Sequence, residues 1–285
     1  MERAAKIIRR SIFVLLKDFH YYITNPVILL LPFSASVLLF QSCSQTKSIF
    51  PLTRISLLDL NFSQVIFSYV ISLPFALSSL VVAKASIIKN LHSHDQHKPA
   101  VSSLYKPLVS TYLCNTSLFL LLVVASNFVE KIYGLSSKSP LFVLAAGVVL
   151  YMVLTNAMII GNLALVVAGM DDCSGYRAIH RAWLVKQGAN SMALLLALPI
   201  NLGFVAIESL FQYRVIRAYH LSRRANASMI VEGWLISIMF SLLIVLDTIA
   251  CCLIVKSYES DRVQIEIVKE DRRISGSLQS LDELL

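Results

Sequence analysis

Charge is the scarce ingredient of this sequence. Asp, Glu, Lys and Arg make up 15% of its 285 residues, where a soluble domain carries about a quarter. So few charges cannot clothe a water-exposed surface, which excludes an ordinary soluble domain. Catalytic signatures are missing as well. The chain has no Gly-x-Ser-x-Gly, no His-Glu-x-x-His and no phosphate loop, so it is not expected to be an enzyme. The five cysteines (Cys43, Cys114, Cys173, Cys251, Cys252) are odd in number and fall in no metal-ligand spacing. They predict neither a disulfide framework nor a metal site, and no cofactor is implied. Cys251 and Cys252 read as small packed residues, with palmitoylation as the functional alternative.

What fills the chain instead is apolar sequence, 56% hydrophobic by composition. It is concentrated in six stretches, Pro26–Phe40, Val65–Ile88, Leu108–Val129, Leu141–Gly169, Ala189–Phe211 and Gly233–Val255. A spanning helix needs about 20 apolar residues. Five stretches reach that length, and the first does so if its flanks are included. The expected fold is all-α, a polytopic bundle of about six spans with both termini cytoplasmic. Residues 1–24 form an interfacial amphipathic helix, 25–258 the membrane domain and 259–285 a flexible cytoplasmic tail. Ile8, Ile12, Leu15 and Phe19 recur at helical spacing, with Arg3, Lys6, Arg10 and Lys17 on other faces. That pattern suits a helix in the headgroup plane. The core Ile12–Leu16 is too short for a removable signal. Thr24-Asn25-Pro26 predicts a cap followed by proline at the first position of span one.

The net charge of +8 belongs to topology and lipid contact rather than to nucleic acid, because no basic stretch is interleaved with stacking aromatics. With six spans, Lys and Arg on the side of the termini outnumber those opposite by two to one. The sequons Asn61-Phe62-Ser63 and Asn226-Ala227-Ser228 then fall outside. The fifth loop, Arg214–Arg224, is basic on the wrong side. A re-entrant fifth segment interrupted by Pro199 and Asn201 would relieve that conflict. A faint repeat of 78 residues relates Ala100, Leu104, Tyr105 and Thr111 to Ala178, Ala182, Trp183 and Ala189.

Polar groups within the apolar stretches are the candidate sites. Asp247 stands about two turns inside span six, where a charge costs at least ~2.5 kcal/mol. Lys84 is the nearest cation in depth, so an ion pair or a coupling carboxylate is expected there. Asn156 and Asn201, with Pro32, Pro74 and Pro199, fall near mid-span and would line a polar cavity. Ala157-x-x-x-Gly161 and Ala164-x-x-x-Ala168 form a packing seam. The cluster His92-Ser93-His94-Asp95-Gln96-His97 matches no standard metal spacing. Ser275, in Arg272-Arg273-Ile274-Ser275, is a candidate phosphosite.

Residues 161–188 carry a family resemblance. A span ending in Leu163, Ala164 and Val167 leads to Asp171, then Gly175-Tyr176, Ala178, Leu184, Lys186 and Gly188. This resembles a plant family of uncharacterised six-span membrane proteins, some labelled as polyadenylate-binding-protein-binding. It also resembles, more distantly, membrane domains associated with glycerophosphodiesterases. Pro32-Phe33 and Lys256-Ser257-Tyr258 look like the same family, whereas Gln187 and the acidic tail depart from it. The resemblance implies a fold and no activity. Independently of it, Gly169 is expected to end span four as a left-handed cap. Asp171 and Asp172 favour the next helix start, and Arg177, Arg181, Trp183 and Lys186 make that helix a candidate docking surface. Two functions remain. One is a membrane-embedded scaffold or adaptor that contacts lipids or a protein partner through its cytoplasmic helices and tail. The other is a small transporter or channel using the midplane polar residues.

Overall fold

The computed structural model describes residues 2–49, 76–91, 101–136, 140–171, 173–188, 190–222 and 227–282. Nearly all of them are helical. In chain order the elements are α1 (Glu2–Lys17), α2 (Phe19–Tyr22), a π-turn (Ile23–Val27) and α3 (Ile28–Ile49). After these come α4 (residues 76–91), α5 (Val101–Ser136), α6 (Pro140–Met170) and α7 (Tyr176–Gly188). The last group is α8 (Asn190–Phe211), a second π-turn (Gln212–Ile216), α9 (Arg217–Ser222) and α10 (Ala227–Asp282).

Among the described residues, four helical stretches are long and apolar enough to cross a membrane: Phe19–Leu39, Met152–Met170, Ala193–Tyr219 and Ala227–Gln264. The expected second span is described only from residue 76 onward. The third falls within the 36-residue α5. Asn61, Asn226 and the histidine cluster lie outside the described residues.

Three expectations need correction. Thr24 does not cap a helix. The chain is already helical from Phe19, and the Thr24 hydroxyl donates to the carbonyl of His20 at 2.7 Å. Pro26 lacks an N–H and its ring crowds the preceding turn, so the helix widens into a π-turn there instead of starting afresh. Gly169 is not a left-handed cap either. It lies inside α6, where a Cβ would come within 2.8 Å of Ile88 Cδ1. The left-handed residue is Gly175 (φ 63°), at the entry to α7. Finally, the fifth apolar segment is no re-entrant hairpin. α8 runs without reversal past Pro199 and Asn201, and through the second π-turn into α9.

α10 is the central pillar. In its apolar window 67% of residues are buried inside the bundle, against 22% for Ala193–Tyr219. One of its faces (Ile236, Phe240, Ile244, Ile249) packs with Leu30 and Leu38 of α3 and with Leu80, Ala83 and Ile87 of α4. The other (Ala250, Cys251, Ile254, Val255) packs with α6, α8 and the opposite face of α4. Cys251 and Cys252 are both buried, which leaves neither thiol accessible to palmitoylation. Association within lipid gains from close van der Waals packing and interhelical hydrogen bonds, and both are present. The hydroxyls of Ser34 and Ser241 meet at 2.8 Å between α3 and α10. The expected seam on α6 is real: Ala164 and Ala168 are fully buried. A Cβ at Gly161 would collide with the Asn115 side chain of α5.

α1 divides into three sectors. Ile7, Ser11, Val14 and Leu15 turn toward the bundle, Ile12, Leu16 and Phe19 lie exposed beside them, and Lys6, Arg10 and Lys17 occupy the remaining arc. α1 thus presents one face to the bundle, an exposed apolar face and a basic face. Its inner face rests against α10 and α8.

Candidate functional site

α6 organises two polar clusters. The first lies where α6 gives way to α7, which folds back along it with Ala178, Ala182 and Val185 buried. The turn between them is tied down by Gly175 N, which donates to Thr111 Oγ1 at 3.0 Å. Arg181 Nε lies 3.1 Å from Asp171 Oδ2 and its Nη2 lies 3.6 Å from Glu259 Oε1 of α10. The contact with Asp171 is a close ion pair without hydrogen-bond alignment, since that oxygen is buried with no hydrogen-bond partner. With Arg181 42% exposed, each pair contributes at most about 1 kcal/mol.

Lys186 reaches from α7 to donate to Asn156 Oδ1, whose own amide donates to the carbonyl of Met152 at 2.9 Å. Burial pulls the Lys186 ammonium below its usual value. At the end of α7, a Cβ at Gly188 would strike the ring of Tyr258. Of the four candidate docking residues, Arg181 and Lys186 are therefore engaged inside the protein. Arg177 and Trp183 are exposed, on a face that also carries Tyr176, His180 and Leu184.

The second cluster is interior. Lys84 and Asp247 do come together, though not directly. Asn162 stands between them, its Oδ1 accepting from Lys84 Nζ at 3.3 Å and its Nδ2 donating to Asp247 Oδ2 at 3.0 Å. Lys84 is 5% exposed. An amide is the right linker, because it offers an acceptor to the ammonium and a donor to the carboxylate. Asp247 Oδ1 has a weaker neighbour, the Cys251 thiol at 3.9 Å.

Beside this chain of groups lies a cavity of about 100 Å³ between α6, α8 and α10. Asp247, Asn162, Asn201 and Cys251 are its polar lining, and Leu196, Ile200, Phe204 and Ile254 are among its apolar walls. Asn201 shares this lining with Asp247. Asn156 does not, since it is turned to Lys186. Asn162 was missed by the sequence reading, although it stands eight residues before Met170 just as Asp247 stands eight before Val255. Among the described residues, no group of three or more His, Cys, Asp or Glu could hold a metal ion. Ser275 falls on α10, with its side chain outside the described residues.

A family of unknown function, described as "Domain of unknown function (DUF8558)", matches residues 57–272. The chain belongs to the DUF8558 family. That match takes in α4 through most of α10, and with them Lys84, Asn162 and Asp247. No curated protein and no solved structure matches the chain.

Proposed function

We propose that this DUF8558 protein is a membrane-embedded scaffold of six spans with both termini cytoplasmic. It would hold a helical docking platform at the headgroup layer. The observation that carries this reading is the length of α10. The pillar helix does not stop at the buried Val255 but runs on to Asp282. At 1.5 Å per residue it extends about 40 Å further.

The point of exit is braced. Glu259 pairs with Arg181, and the Tyr258 ring lies against Gly188. The exposed Tyr176, Arg177, Trp183 and Leu184 of α7 give that end an aromatic and basic face suited to headgroups. Less supports transport. Pro32 and Pro199 lie inside unbroken helices, whereas transporters place their sites at broken ones. Asn156 is also engaged away from Asp247.

The test compares affinity recovery of bound proteins from native membranes using the full chain and a chain lacking residues 263–285. The truncated chain should insert normally and lose its specific partners. Undiminished recovery would sink the proposal that α10 is the docking element.

A further inference from the structure

The cavity beside Asp247 has three properties that the scaffold reading leaves unused. First, it opens to the outside of the bundle between two helices long and apolar enough to cross a membrane. Met158 and Asn201, on its lining, are exposed, and α6 touches α8 only sparsely. A molecule dissolved in the lipid could therefore enter between these helices. Second, acceptor capacity is left over at its inner end. Asn162 occupies Asp247 Oδ2, but Oδ1 meets only a thiol, a weak donor, at 3.9 Å. A carboxylate offers about four acceptor positions. The Asn201 amide is likewise unpartnered among the described residues. Third, the charges already balance: Lys84 offsets Asp247 through Asn162.

Together these features define the ligand. Spare acceptors call for a donor, either a hydroxyl or an ammonium. An ammonium would leave one uncompensated positive charge among apolar walls, which is costly. A carboxylate ligand would face Asp247 with a like charge. A hydroxyl satisfies the acceptor without disturbing the balance. The volume of about 100 Å³ exceeds the ~10–15 Å³ that a single water needs, so a head of several atoms fits. The apolar walls at Leu196, Ile200 and Phe204 suit a flexible chain.

We propose that the crevice between α6, α8 and α10 binds a neutral acyl lipid with a hydroxyl head, which enters from the bilayer and donates to Asp247 Oδ1.

The test uses the full chain in lipid nanodiscs and four photoreactive, clickable probes: a monoacylglycerol, a sphingoid base, a fatty acid and a sterol. The monoacylglycerol should label saturably and be competed by unlabelled monoacylglycerol. Asp247→Asn, which exchanges the charged acceptor for a neutral amide oxygen, should weaken its apparent affinity severalfold. Ala197→Leu, which fills the cavity wall, should abolish labelling. Asn201→Leu on the exposed rim reduces it without burdening the fold, and so serves if Ala197→Leu does not fold. Leu202→Ala, on an exposed position of α8, should label like wild type. Labelling that Asn201→Leu and Ala197→Leu leave unchanged in folded protein would overturn the site. Preferential labelling by the amine, acid or sterol probe would overturn the assigned chemistry.

Discussion

Two asparagines six residues apart on α6 each answer a lysine, yet the two contacts are built differently. Asn156 accepts from Lys186 near the protein's edge, and its other end is spent on the helix's own backbone at Met152. Asn162 accepts from the buried Lys84 and passes the interaction to a carboxylate. A half-buried ammonium keeps some water and needs only one acceptor. A buried ammonium needs a counter-charge, or it costs several kcal/mol. The difference shows that Asp247 answers a charge already present in α4. Acid and base are each tolerated because the other is there.

The strongest way to break this comparison is to remove one charge from the interior cluster. Asp247→Ala leaves Lys84 and the Asn162 amide without their partner, and should cost about 3 kcal/mol of unfolding free energy. Lys84→Met with Asp247→Ala removes both charges together and should cost clearly less than the sum of the two single variants. Reversible unfolding in mixed micelles, run as a double-mutant cycle, measures the coupling. If the double variant is as unstable as the sum of the singles, the two groups do not compensate each other.

Much of this arrangement was legible in the sequence. Depth counting from the span ends pairs Asp247 with Lys84, and the small residues of α6 announce its close contact with α5. The mediator was less visible. Asn162 sits beside the packing glycine Gly161 and reads as part of the seam, though its depth equals that of Asp247. Depth also failed for Asn156, because a lysine side chain several ångströms long reaches toward it from α7. Turn chemistry was the least legible. Pro26 carries the signature of a helix start, but upstream packing of Tyr22 against α4, with Asn90 Nδ2 donating to its hydroxyl at 3.3 Å, keeps that segment helical. Gly169 and Gly175 lie six residues apart, and sequence alone does not say which one needs the positive φ.

Removing the amides one at a time sharpens the comparison. Asn162→Ala severs the link and strands both charges, with an expected loss of about 2 kcal/mol. Asn156→Ala takes one acceptor from a lysine that can turn to water, and should cost about 0.5 kcal/mol. Thermal unfolding of the two variants side by side reads the difference. Equal losses would mean that the buried cluster is no more demanding than the peripheral one. Gly161→Val tests the scaffold that holds both asparagines in place. The added methyls collide with Asn115, and overpacking of this kind costs about 1–3 kcal/mol.

The smallest effect separates the two lysines by pH. Burial lowers the Lys186 ammonium below its ordinary value of 10.5, so folding favours its neutral form. Between that lowered value and 10.5 the unfolded chain binds more protons than the folded one at this residue. The Lys186 contribution to stability therefore rises with pH across that window, and is flat below it, where both states are protonated. Neutral lysine still donates to Asn156, so the hydrogen bond survives deprotonation while the desolvation cost disappears. Unfolding midpoints of the wild type and Lys186→Met, compared from pH 8 to about 10.5, should shift relative to one another in the wild type's favour as pH rises. A difference that stays constant, or moves the other way, would mean that Lys186 is not held in a partly desolvated place. The distinction drawn between the two lysines would then fail at its peripheral end.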